Sequence, residues 1–449
     1  MRTKPKEFTI KVEGIPASRL KKCDTIIEII NYSKIKKETN IKNKIKYQKK
    51  EIEKHYSNKI IDPFVEDLMN IALATFSVDS IVPRTVNKSN FVSRNIRITI
   101  PVNDKEKWNK VKPILEQTIS FMTYDTFKYK FIKRKCNKYN YKTNKASFDS
   151  IALFSGGLDS FAGSSFLISK NYKPLFLSIN HGGIERVVKE LHKSIPKIYE
   201  KIILGVNKKG IQTKEYTQFS RSFLYLTNAV ALARAYNINK VFIPENGIIA
   251  FQIGFKEGRY GTRTTHPKYI RLFSLLINSL FPKWNLEIIN PFLYKTKTEV
   301  VSLLKNKKEL LRETISCGHS SRFEHSHCGM CFPCIIRRIS LVLNGVYKDR
   351  ISKYGKETFM IDLKDPRINK NLNYPTKLNK GYYRDGVVNI LELINLTKDI
   401  KNLSDDKLIV KYPEMSVPKI LELYKKFGSE IIKTIDYFKD KNKSLMEVY

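Results

Sequence analysis

The chain contains few acidic residues for its length, few cysteines and no long hydrophobic run. Only 43 of its 449 residues are Asp or Glu, against 82 Lys and Arg, and six are Cys. No apolar stretch approaches the ~20 residues that a membrane-spanning helix needs, so we expect no membrane partner. The first six residues, MRTKPK, hold no apolar signal-peptide core. We therefore expect a cytoplasmic protein whose cysteines stay reduced.

The shortage of acidic residues leaves a formal net charge of +39, which suggests a nucleic-acid partner. The basic residues are mostly lysines, and they occur together with Asn and Ile in every part of the chain. This pattern is typical of an A/T-rich coding sequence rather than of one selected basic face. The chain also offers no basic module interleaved with aromatic residues. Nucleic acid is thus an alternative partner that the sequence does not favour.

The length exceeds what one hydrophobic core accommodates, and the pattern of residues divides the chain into three segments. We predict an N-terminal α+β domain over residues 1–147 and an α/β core over residues 148–345. A helical region is predicted over residues 346–449, with a loop around residues 369–383.

Alternating polar and apolar residues predict strands with one wet face in the N-terminal segment. The alternation covers residues 8–12, 96–100 and 127–131. Between them, Asp62 and Pro63 stand in the order of an N-cap and a first-turn proline, which predicts that a helix begins there. The lysine-rich stretch 33–59 is expected to be a solvated helix or mobile loop, and secondarily an anion-binding arm.

Strands and helices alternate in the core segment. The strand candidates cover residues 150–154, 174–179, 201–206 and 240–243. Helices are predicted between them at residues 159–169, 185–200 and 219–236. Such alternation indicates a Rossmann-like parallel sheet with helices on both faces, where ligands bind at the carboxyl ends of the strands. The loops after the first and last of these strands, which carry Gly156-Gly157 and Glu245-Asn246-Gly247, should therefore converge on one crevice.

A glycine-rich turn connects the first core strand to the following helix. Its residues are Ser155, Gly156, Gly157, Leu158, Asp159 and Ser160. Glycines let the backbone approach an anion closely, and the first N–H groups of a helix supply donors and partial positive charge. The turn lacks the GxxxxGK[ST] spacing of a Walker A loop, so γ-phosphate transfer is not its expected chemistry. It predicts a phosphate cradle, with an ordinary glycine-rich turn as the alternative.

Four cysteines in a C-x10-C-x2-C-x2-C arrangement predict a metal site. They are Cys317, Cys328, Cys331 and Cys334. Four thiolates can close a tetrahedral shell around Zn²⁺ and leave no position open for water, which makes such a site structural. A disulfide pair would require an oxidising compartment, and an iron–sulfur cluster is a second alternative.

Other candidate ligands and cysteines are interpreted more simply. His319, His325 and His327 lie in the same stretch and could replace one cysteine, but they are expected to be surface loop histidines. Cys23 and Cys136 lack partners at metal-binding spacing and are interpreted as small apolar residues.

Together the two motifs resemble the QueC family of 7-cyano-7-deazaguanine synthases. The glycine-rich turn matches the SGGxDS loop of the PP-loop ATP pyrophosphatase superfamily, to which that family belongs. Three further stretches are similar to family segments: SRSFLYL at residues 220–226, NPFLYKTKTEV at residues 290–300 and ETISC at residues 313–317. The resemblance covers about residues 148–345.

The resemblance implies a PP-loop core that binds ATP and Mg²⁺ and activates a substrate carboxylate by adenylation. The turn at residues 155–160 would hold the departing pyrophosphate, and Asp159 would orient the loop or reach Mg²⁺. Lys297 falls on the family's lysine and would act as a phosphate or carboxylate clamp, with a surface lysine as the alternative. The resemblance also implies that the four cysteines hold Zn²⁺.

Three further residues are candidates on weaker patterns. Arg221 begins a helix with an apolar face and would contact phosphate or be solvated. Asn180 and His181 end the second core strand, where adenine is expected, and a polar turn is the alternative there.

The chain departs from the family pattern at the substrate side of the site. It has Asn-His-Gly-Gly at residues 180–183, where the family has aspartate, tyrosine and glycine. The family's acidic loop is here residues 258–269, which are rich in Arg and Thr. Arg259, Arg263 and His266 lie in this loop, which could close over a substrate.

The three-segment layout is similar to that of longer QueC-like proteins of bacterial anti-phage operons. These are the QatC proteins of the Qat system and related proteins of CBASS operons. Residues 67–84, which end in VDSIVPR, resemble their A-D-x-x-V-P-R segment.

The longer relatives imply a ligase that joins a deazapurine carboxylate to an amine, with a protein partner from the same operon, similar to QatB, as the amine donor. Three alternatives stay open at this point. The first is a free nitrile synthase that uses ammonia, and the second is a non-catalytic adaptor that binds ATP and zinc. The third is an RNA-modifying PP-loop enzyme.

Overall fold

The computed structural model describes most of the chain and shows one sheet running through its first two segments. It describes residues 6–12, 25–31, 41, 43–84, 93–134, 140–180, 185–196, 200–215, 217, 219–253, 263–320, 323–353, 355–361, 379–400, 403 and 405–446. Within this part of the chain, no helix is both long enough and apolar enough to cross a bilayer.

The N-terminal segment contributes five strands and three helices. In chain order they are β1 (Lys6–Lys11), β2 (Thr25–Asn31), β3 (Asn43–Tyr47), α1 (Lys49–Glu53), α2 (Pro63–Ile81), β4 (Asn95–Val102), α3 (Lys105–Thr123) and β5 (Thr126–Lys133). The predicted helix start is confirmed, because Asp62 caps α2 by accepting a hydrogen bond from the N–H of Phe64. The predicted alternation is clearest in β5, where Phe127, Tyr129 and Phe131 are buried.

The expectation for the lysine-rich stretch 33–59 is wrong over residues 43–47. These residues form β3, which lies inside the sheet between two other strands. Ile45 and Tyr47 point into the core and are almost fully buried. Residues 44–47 do alternate between lysine and an apolar residue, but this alternation covers only four residues of a stretch that is rich in lysine throughout.

The core segment contributes the remaining strands. Its elements are β6 (Ser150–Leu153), α4 (Leu158–Ser169), β7 (Pro174–Asn180), α5 (Glu185–Lys193), β8 (Lys201–Lys209), α6 (Arg221–Ala235), β9 (Lys240–Phe242), α7 (Gly247–Phe251), α8 (Pro267–Leu280), β10 (Glu287–Ile289), α9 (Lys297–Ser302), α10 (Lys308–Leu311) and α11 (Phe332–Leu343). The four predicted core strands are confirmed. The helix predicted over 185–200 ends earlier, at Lys193, and β10 was not predicted.

The strand order is β10-β9-β6-β7-β8-β3-β2-β1-β4-β5. All neighbours are parallel except β3 and β8, which pair antiparallel. This pair joins the N-terminal strands to the core strands across the predicted boundary at residues 147 and 148. The carboxyl ends of β6 and β9 lie on one edge, where two adjacent parallel strands direct their following loops into the same space.

A buried ionic cluster holds the N-terminal segment against the start of α6. Arg84 and Arg94 each donate to both Asp79 and Asp125, over N–O distances of 2.5–2.8 Å. Asp79 also accepts hydrogen bonds from the N–H and Oγ of Ser220, the N-cap residue of α6. The VDSIVPR stretch therefore supports the helix that begins with Arg221.

From residue 379 onward, the described part of the C-terminal region is mostly helical, whereas residues 346–353 and 355–361 are largely irregular. It contains α12 (Asn379–Ile400), α13 (Asp405–Lys411), α14 (Val417–Phe438) and α15 (Lys443–Met446). The loop predicted around residues 369–383 lies largely outside the described residues. These helices share an apolar core with α7, α11 and the cysteine stretch. The tail is thus packed on the side of the core that carries the candidate site.

Candidate active site

The glycine-rich turn has the backbone geometry of an anion cradle. Gly156 has a φ of +79°, a conformation in which an L side chain would be strained, and Gly157 is the N-cap residue of α4. The Oγ of Ser160 donates to the carbonyl of Gly157 over 2.9 Å, and Ser155 Oγ lies 3.3 Å from Ser160 Oγ. Within the described residues, no side chain caps the N-terminus of α4. The first N–H groups of this helix are therefore directed at the space that a phosphate would occupy.

Lys297 and Asp159 form a buried ion pair beside this turn. Asp159 lies in the first turn of α4, and Lys297 is the first residue of α9; their side chains contact each other directly. Both residues are more than nine-tenths buried. A lysine at a helix N-terminus opposes the helix dipole, so its burial here favours a functional role over the alternative of a surface lysine.

A second carboxylate and an amide complete the group around Asp159. Asn246, which caps α7, lies with Nδ2 3.4 Å from an oxygen of Asp159 and 3.2 Å from Oε1 of Glu245. Burial and the nearby charge of Asp159 raise the pKa of Glu245 well above its ordinary value. The loops after β6 and β9 thus meet, as the sequence predicted. The prediction placed Glu245 and Asn246 in the converging loop but gave neither of them a role in the site.

Gly247, which follows Glu245 and Asn246 in the sequence, is a signal for a close backbone contact at this position. A Cβ on Gly247 would lie 2.2 Å from the carbonyl oxygen of Leu293, so only glycine fits this position. The pattern Glu-Asn-Gly directly after a buried strand could have identified the pair, because Asn is a preferred N-cap and a glycine follows it where two backbones approach.

The other candidate site residues are not joined to this group. Arg221 is half-buried at the start of α6, and among the described residues no hydrogen bond or ion pair connects it to Asp159 or Lys297. Asn180 ends β7 and donates to Glu185 over 3.2 Å. His181 lies outside the described residues. Roles in phosphate or adenine binding for these three residues stay predictions.

The part of the predicted substrate loop that the structure describes is held by the N-terminal segment. The guanidinium of Arg263 lies 3.6 Å from the ring centroid of Tyr124 and 4.3 Å from that of Phe121, and it donates to the carbonyl of Phe121. His266 caps α8, and burial followed by the charge of Arg263 lowers its pKa to about 3. Arg259 lies outside the described residues.

The four cysteines converge on one point. All four Sγ atoms lie within 4.8 Å of one another, and the Sγ–Sγ distances for 317–331, 328–334 and 331–334 are 3.9, 3.9 and 3.4 Å. Tetrahedral Zn²⁺ with Zn–S bonds of about 2.3 Å would place the sulfurs about 3.8 Å apart. None of the four forms a disulfide. The donor set and its spacing therefore fit a structural zinc ion.

Backbone amides support the cysteines as thiolates. The N–H groups of His319 and Cys328 donate to Cys317 Sγ, and those of Met330 and Cys331 donate to Cys328 Sγ, over 3.3–3.5 Å. Hydrogen bonds from the other cysteines, and from the N–H of Met330, lower the pKa of Cys328 far below its ordinary value, whereas burial and hydrogen bonds among the cysteines raise the pKa of Cys331 and Cys334. The amide donors stabilise Cys317 and Cys328 in the thiolate form, which is the form that binds metal.

The prediction that the nearby histidines lie in surface loops is wrong for His327. It is almost fully buried, its Nε2 accepts from the N–H of Ser316, and its Nδ1 lies 2.9 Å from the carbonyl of Arg350. Both ring nitrogens are therefore engaged away from the sulfurs. His325 is exposed and His319 is half-buried.

The metal loop is connected directly to the glycine-rich turn. The N–H of Ile315 donates to the carbonyl of Gly156 over 2.9 Å. The fully buried Arg337 of α11 donates to Thr314 and to both carboxylate oxygens of Asp349. The segment before Cys317 is thus held from both sides, so a metal that orders this loop also supports the turn.

Comparisons with known proteins agree on the central segment. Residues 149–345 match the family model described as queuosine biosynthesis protein QueC. A 7-cyano-7-deazaguanine synthase from Methanocaldococcus jannaschii is 27% identical over 225 residues, which are 44% of this chain and 95% of that protein. The enzyme of the same name from Acetivibrio thermocellus is 26% identical over 42% of this chain and 90% of its own length. One from Sulfolobus acidocaldarius is 24% identical, and the match spans 46% of its length.

Proposed function

Residues 149–345 match the family model of QueC, and from this match we propose that the protein activates a 7-carboxy-7-deazaguanine-like carboxylate with ATP and joins it to an amine. The observation that carries this proposal is the buried pair of Lys297 and Asp159 beside an uncapped helix N-terminus. A fixed cation and fixed N–H donors in a cleft of low polarity stabilise growing negative charge on phosphate more than they stabilise the ground state.

The reaction has two steps in this proposal. The substrate carboxylate attacks the α-phosphorus of ATP, so that an acyl–AMP bond forms and pyrophosphate leaves. The amine then attacks the acyl carbon, an amide forms, and AMP and a proton leave. The turn from Ser155 to Ser160 holds the pyrophosphate, and Lys297 neutralises charge on it. Mg²⁺ bound with ATP would supply further neutralisation, and Asp159 and Glu245 are the carboxylates that could face it.

The zinc ion has a structural role in this proposal. Four cysteines leave it no open position, and the contact from Ile315 to Gly156 connects its loop to the phosphate site. Because the cysteines must stay reduced to bind metal, we place the protein in the cytoplasm.

A protein amine is the favoured acceptor, and this part of the proposal rests on the N-terminal segment. Tyr124 and Phe121 hold Arg263 of the predicted substrate loop, and Asp79 accepts hydrogen bonds from Ser220, the N-cap residue of the helix that begins with Arg221. Residues outside the QueC match therefore border the predicted substrate loop and could dock a partner. We propose that the partner is encoded in the same anti-phage operon and accepts the acyl group at its N-terminus. Ammonia, followed by conversion of the amide to a nitrile with a second ATP, is the candidate that the names of the relatives favour.

The test combines nucleotide and product analysis. The full chain is incubated with ATP, Mg²⁺ and 7-carboxy-7-deazaguanine, with either ¹⁵N-ammonium or the purified product of the neighbouring small gene. We expect AMP release that depends on the substrate and is lost in Asp159→Ala, and an added deazapurine mass on the partner's N-terminus. A labelled nitrile together with an unmodified partner would establish the synthase alternative instead. If wild type releases no substrate-dependent AMP under either condition, the chain is an adaptor.

A further inference from the structure

The C-terminal helix α14 packs on both short helices that present site residues. Leu423 lies against Gly247, which follows Asn246 at the start of α7: a Cβ on Gly247 would come within 2.5 Å of Leu423 Cδ2. The next residue, Tyr424, accepts a hydrogen bond from the N–H of Ile253 over 2.8 Å. α14 belongs to the tail, beyond the last residue of the QueC match. A helix of the tail, outside the segment that matches QueC, therefore contacts a helix that presents residues of the candidate site.

The same helix contacts the cap of α9, the helix that begins with Lys297. Thr296 and Glu299 form a capping box, in which Thr296 Oγ1 accepts from the N–H of Glu299 and Glu299 Oε2 accepts from the N–H of Thr296. Thr296 Oγ1 donates to Glu430 Oε1 over 2.6 Å, and Lys426 Nζ lies 3.1 Å from Glu299 Oε1.

This arrangement depends on helical spacing. Lys426 and Glu430 are four residues apart, so they lie on one face of α14 and can each reach one member of the capping box. The Lys426 pair is largely exposed and contributes little, whereas the bond from Thr296 to Glu430 is partly buried and contributes more. The capping box fixes where the backbone of α9 begins and therefore where its first residue, Lys297, is placed.

We propose that Glu430 is a positioning residue for Lys297, and that the C-terminal tail completes the phosphate site by holding the cap of α9. This inference deepens the proposed function and rests on it for the role of Lys297. Glu430 acts through Thr296 and touches neither substrate nor reacting atoms. Its acceptor oxygen matters more than its charge, since a neutral amide oxygen can also accept from a hydroxyl.

Lysine acylation measures the position of Lys297 without any ligand. The folded full chain is treated briefly with an N-hydroxysuccinimide ester of acetate, and mass spectrometry gives the acylation rate of each lysine. Lys297 is buried and ion-paired in wild type and should react slowly. In Glu430→Leu we expect its rate to rise about tenfold, the size expected from losing one buried hydrogen bond.

Control variants and a control lysine distinguish a local effect at Lys297 from a general loosening of the fold. Glu430→Gln retains an acceptor oxygen and should restore the slow rate, and Asp436→Asn changes an exposed acid of the same helix and should leave it unchanged. The buried Lys44, in β3, should stay slow in every variant. An unchanged Lys297 rate in Glu430→Leu would overturn the proposal, and so would an equal rise at Lys44, because that indicates general loosening.

A kinetic measurement separates this inference from the proposed function. In the AMP-release assay, Glu430→Leu should lower kcat in the wild-type background and have no further effect in Lys297→Met. Additive losses would contradict action through Lys297. If wild type releases no AMP, the proposed function fails, while the acylation rates still decide whether Glu430 positions Lys297.

Discussion

Lys297 and Asp159 form a buried ion pair although 138 residues separate them in the chain. The pair exists because α9 directs its first side chain at the first turn of α4, a helix whose N-terminus is not capped by a side chain in the described residues. A buried ion pair is weak evidence for stability, since the cost of removing both charges from water offsets their attraction. Its position beside a phosphate cradle therefore favours a catalytic explanation.

Replacing Lys297 should abolish most activity without unfolding the protein. We expect Lys297→Met to lower kcat for AMP formation by about 10²–10³, the usual effect of removing one group that stabilises transition-state charge. Lys305→Ala, at an exposed lysine after α9, is the matched control and should behave as wild type. The measurement is AMP release under saturating substrate, with circular dichroism to confirm folding. An active Lys297→Met variant would remove the main support for the proposed chemistry.

Gly156 should not tolerate a side chain. Alanine there would be strained at a φ of +79° and would bring Cβ within 3.2 Å of Val187 Cγ1, so we expect a loss of about 1–2 kcal/mol of unfolding free energy and weaker ATP binding. Gly318→Ala is the control, because a Cβ on Gly318 would meet nothing within 4 Å. Chemical denaturation and calorimetric titration with ATP measure both effects. Equal behaviour of the two variants would show that the turn is not constrained as described.

Loss of the metal should destabilise the phosphate site as well as the cysteine loop. We expect one zinc per chain by elemental analysis, and Cys328→Ser should lower both the zinc content and the melting temperature. The contact between Ile315 and Gly156 should carry the effect to ATP affinity. Cys23→Ser, at a cysteine outside the set, should retain full zinc. A wild-type protein free of zinc but rich in iron would support the iron–sulfur alternative.

Removing one arginine from the buried ionic cluster should cost much more stability than removing an exposed one. Arg84→Met would leave Asp79 and Asp125 with one cation fewer, which typically costs about 3–5 kcal/mol. Arg97→Met, at an exposed arginine that pairs with Glu7 over 3.4 Å, should change stability by less than about 1 kcal/mol. Urea denaturation of the two variants compares them. Similar small losses would mean that the cluster is not essential to the junction between the segments.

Glu430 should make stability fall as pH rises. Burial raises its pKa from 4.5 to about 7. Between these values the folded protein binds more protons at this site than the unfolded chain, so unfolding free energy decreases as pH rises from about 4.5 to 7. Relative to wild type, Glu430→Gln should therefore gain stability from pH 5 to pH 8, by about 1–3 kcal/mol. Denaturation at both pH values tests this, with Asp436→Asn as the control that should show no such gain.

Much of the core could be predicted from the sequence because its signals are local. The hydrophobic runs of β6, β7, β8 and β9 each lie within ten residues, and glycines mark the turn after β6. The strand β3 was misinterpreted, because the alternation of Lys44, Ile45, Lys46 and Tyr47 is short and lies within a stretch rich in lysine. β10 has only three residues and is at the edge of the sheet, so its pattern is too short to recognise.

Some parts of the candidate site could be recognised in the sequence and others could not. The glycine-rich turn was recognisable because neighbouring glycines define its backbone geometry, and the four cysteines were recognisable because their spacing defines a ligand set. The Glu-Asn-Gly pattern after β9 marks the loop that carries Glu245 and Asn246, but only the folded structure reveals their proximity to Asp159. For His327 the sequence position suggested a surface loop, but the residue is buried and its ring nitrogens contact the backbone of Ser316 and Arg350.

Residues close together in the chain were sufficient to identify the glycine-rich turn, the set of four cysteines and the alternating order of the core. The folded structure was needed to show that β3 and β8 join two segments in one sheet, that Lys297 meets Asp159, and that Glu430 reaches Thr296. These contacts join elements more than a hundred residues apart. Their geometry follows from how helices and strands pack, and packing depends on the whole core rather than on any local pattern.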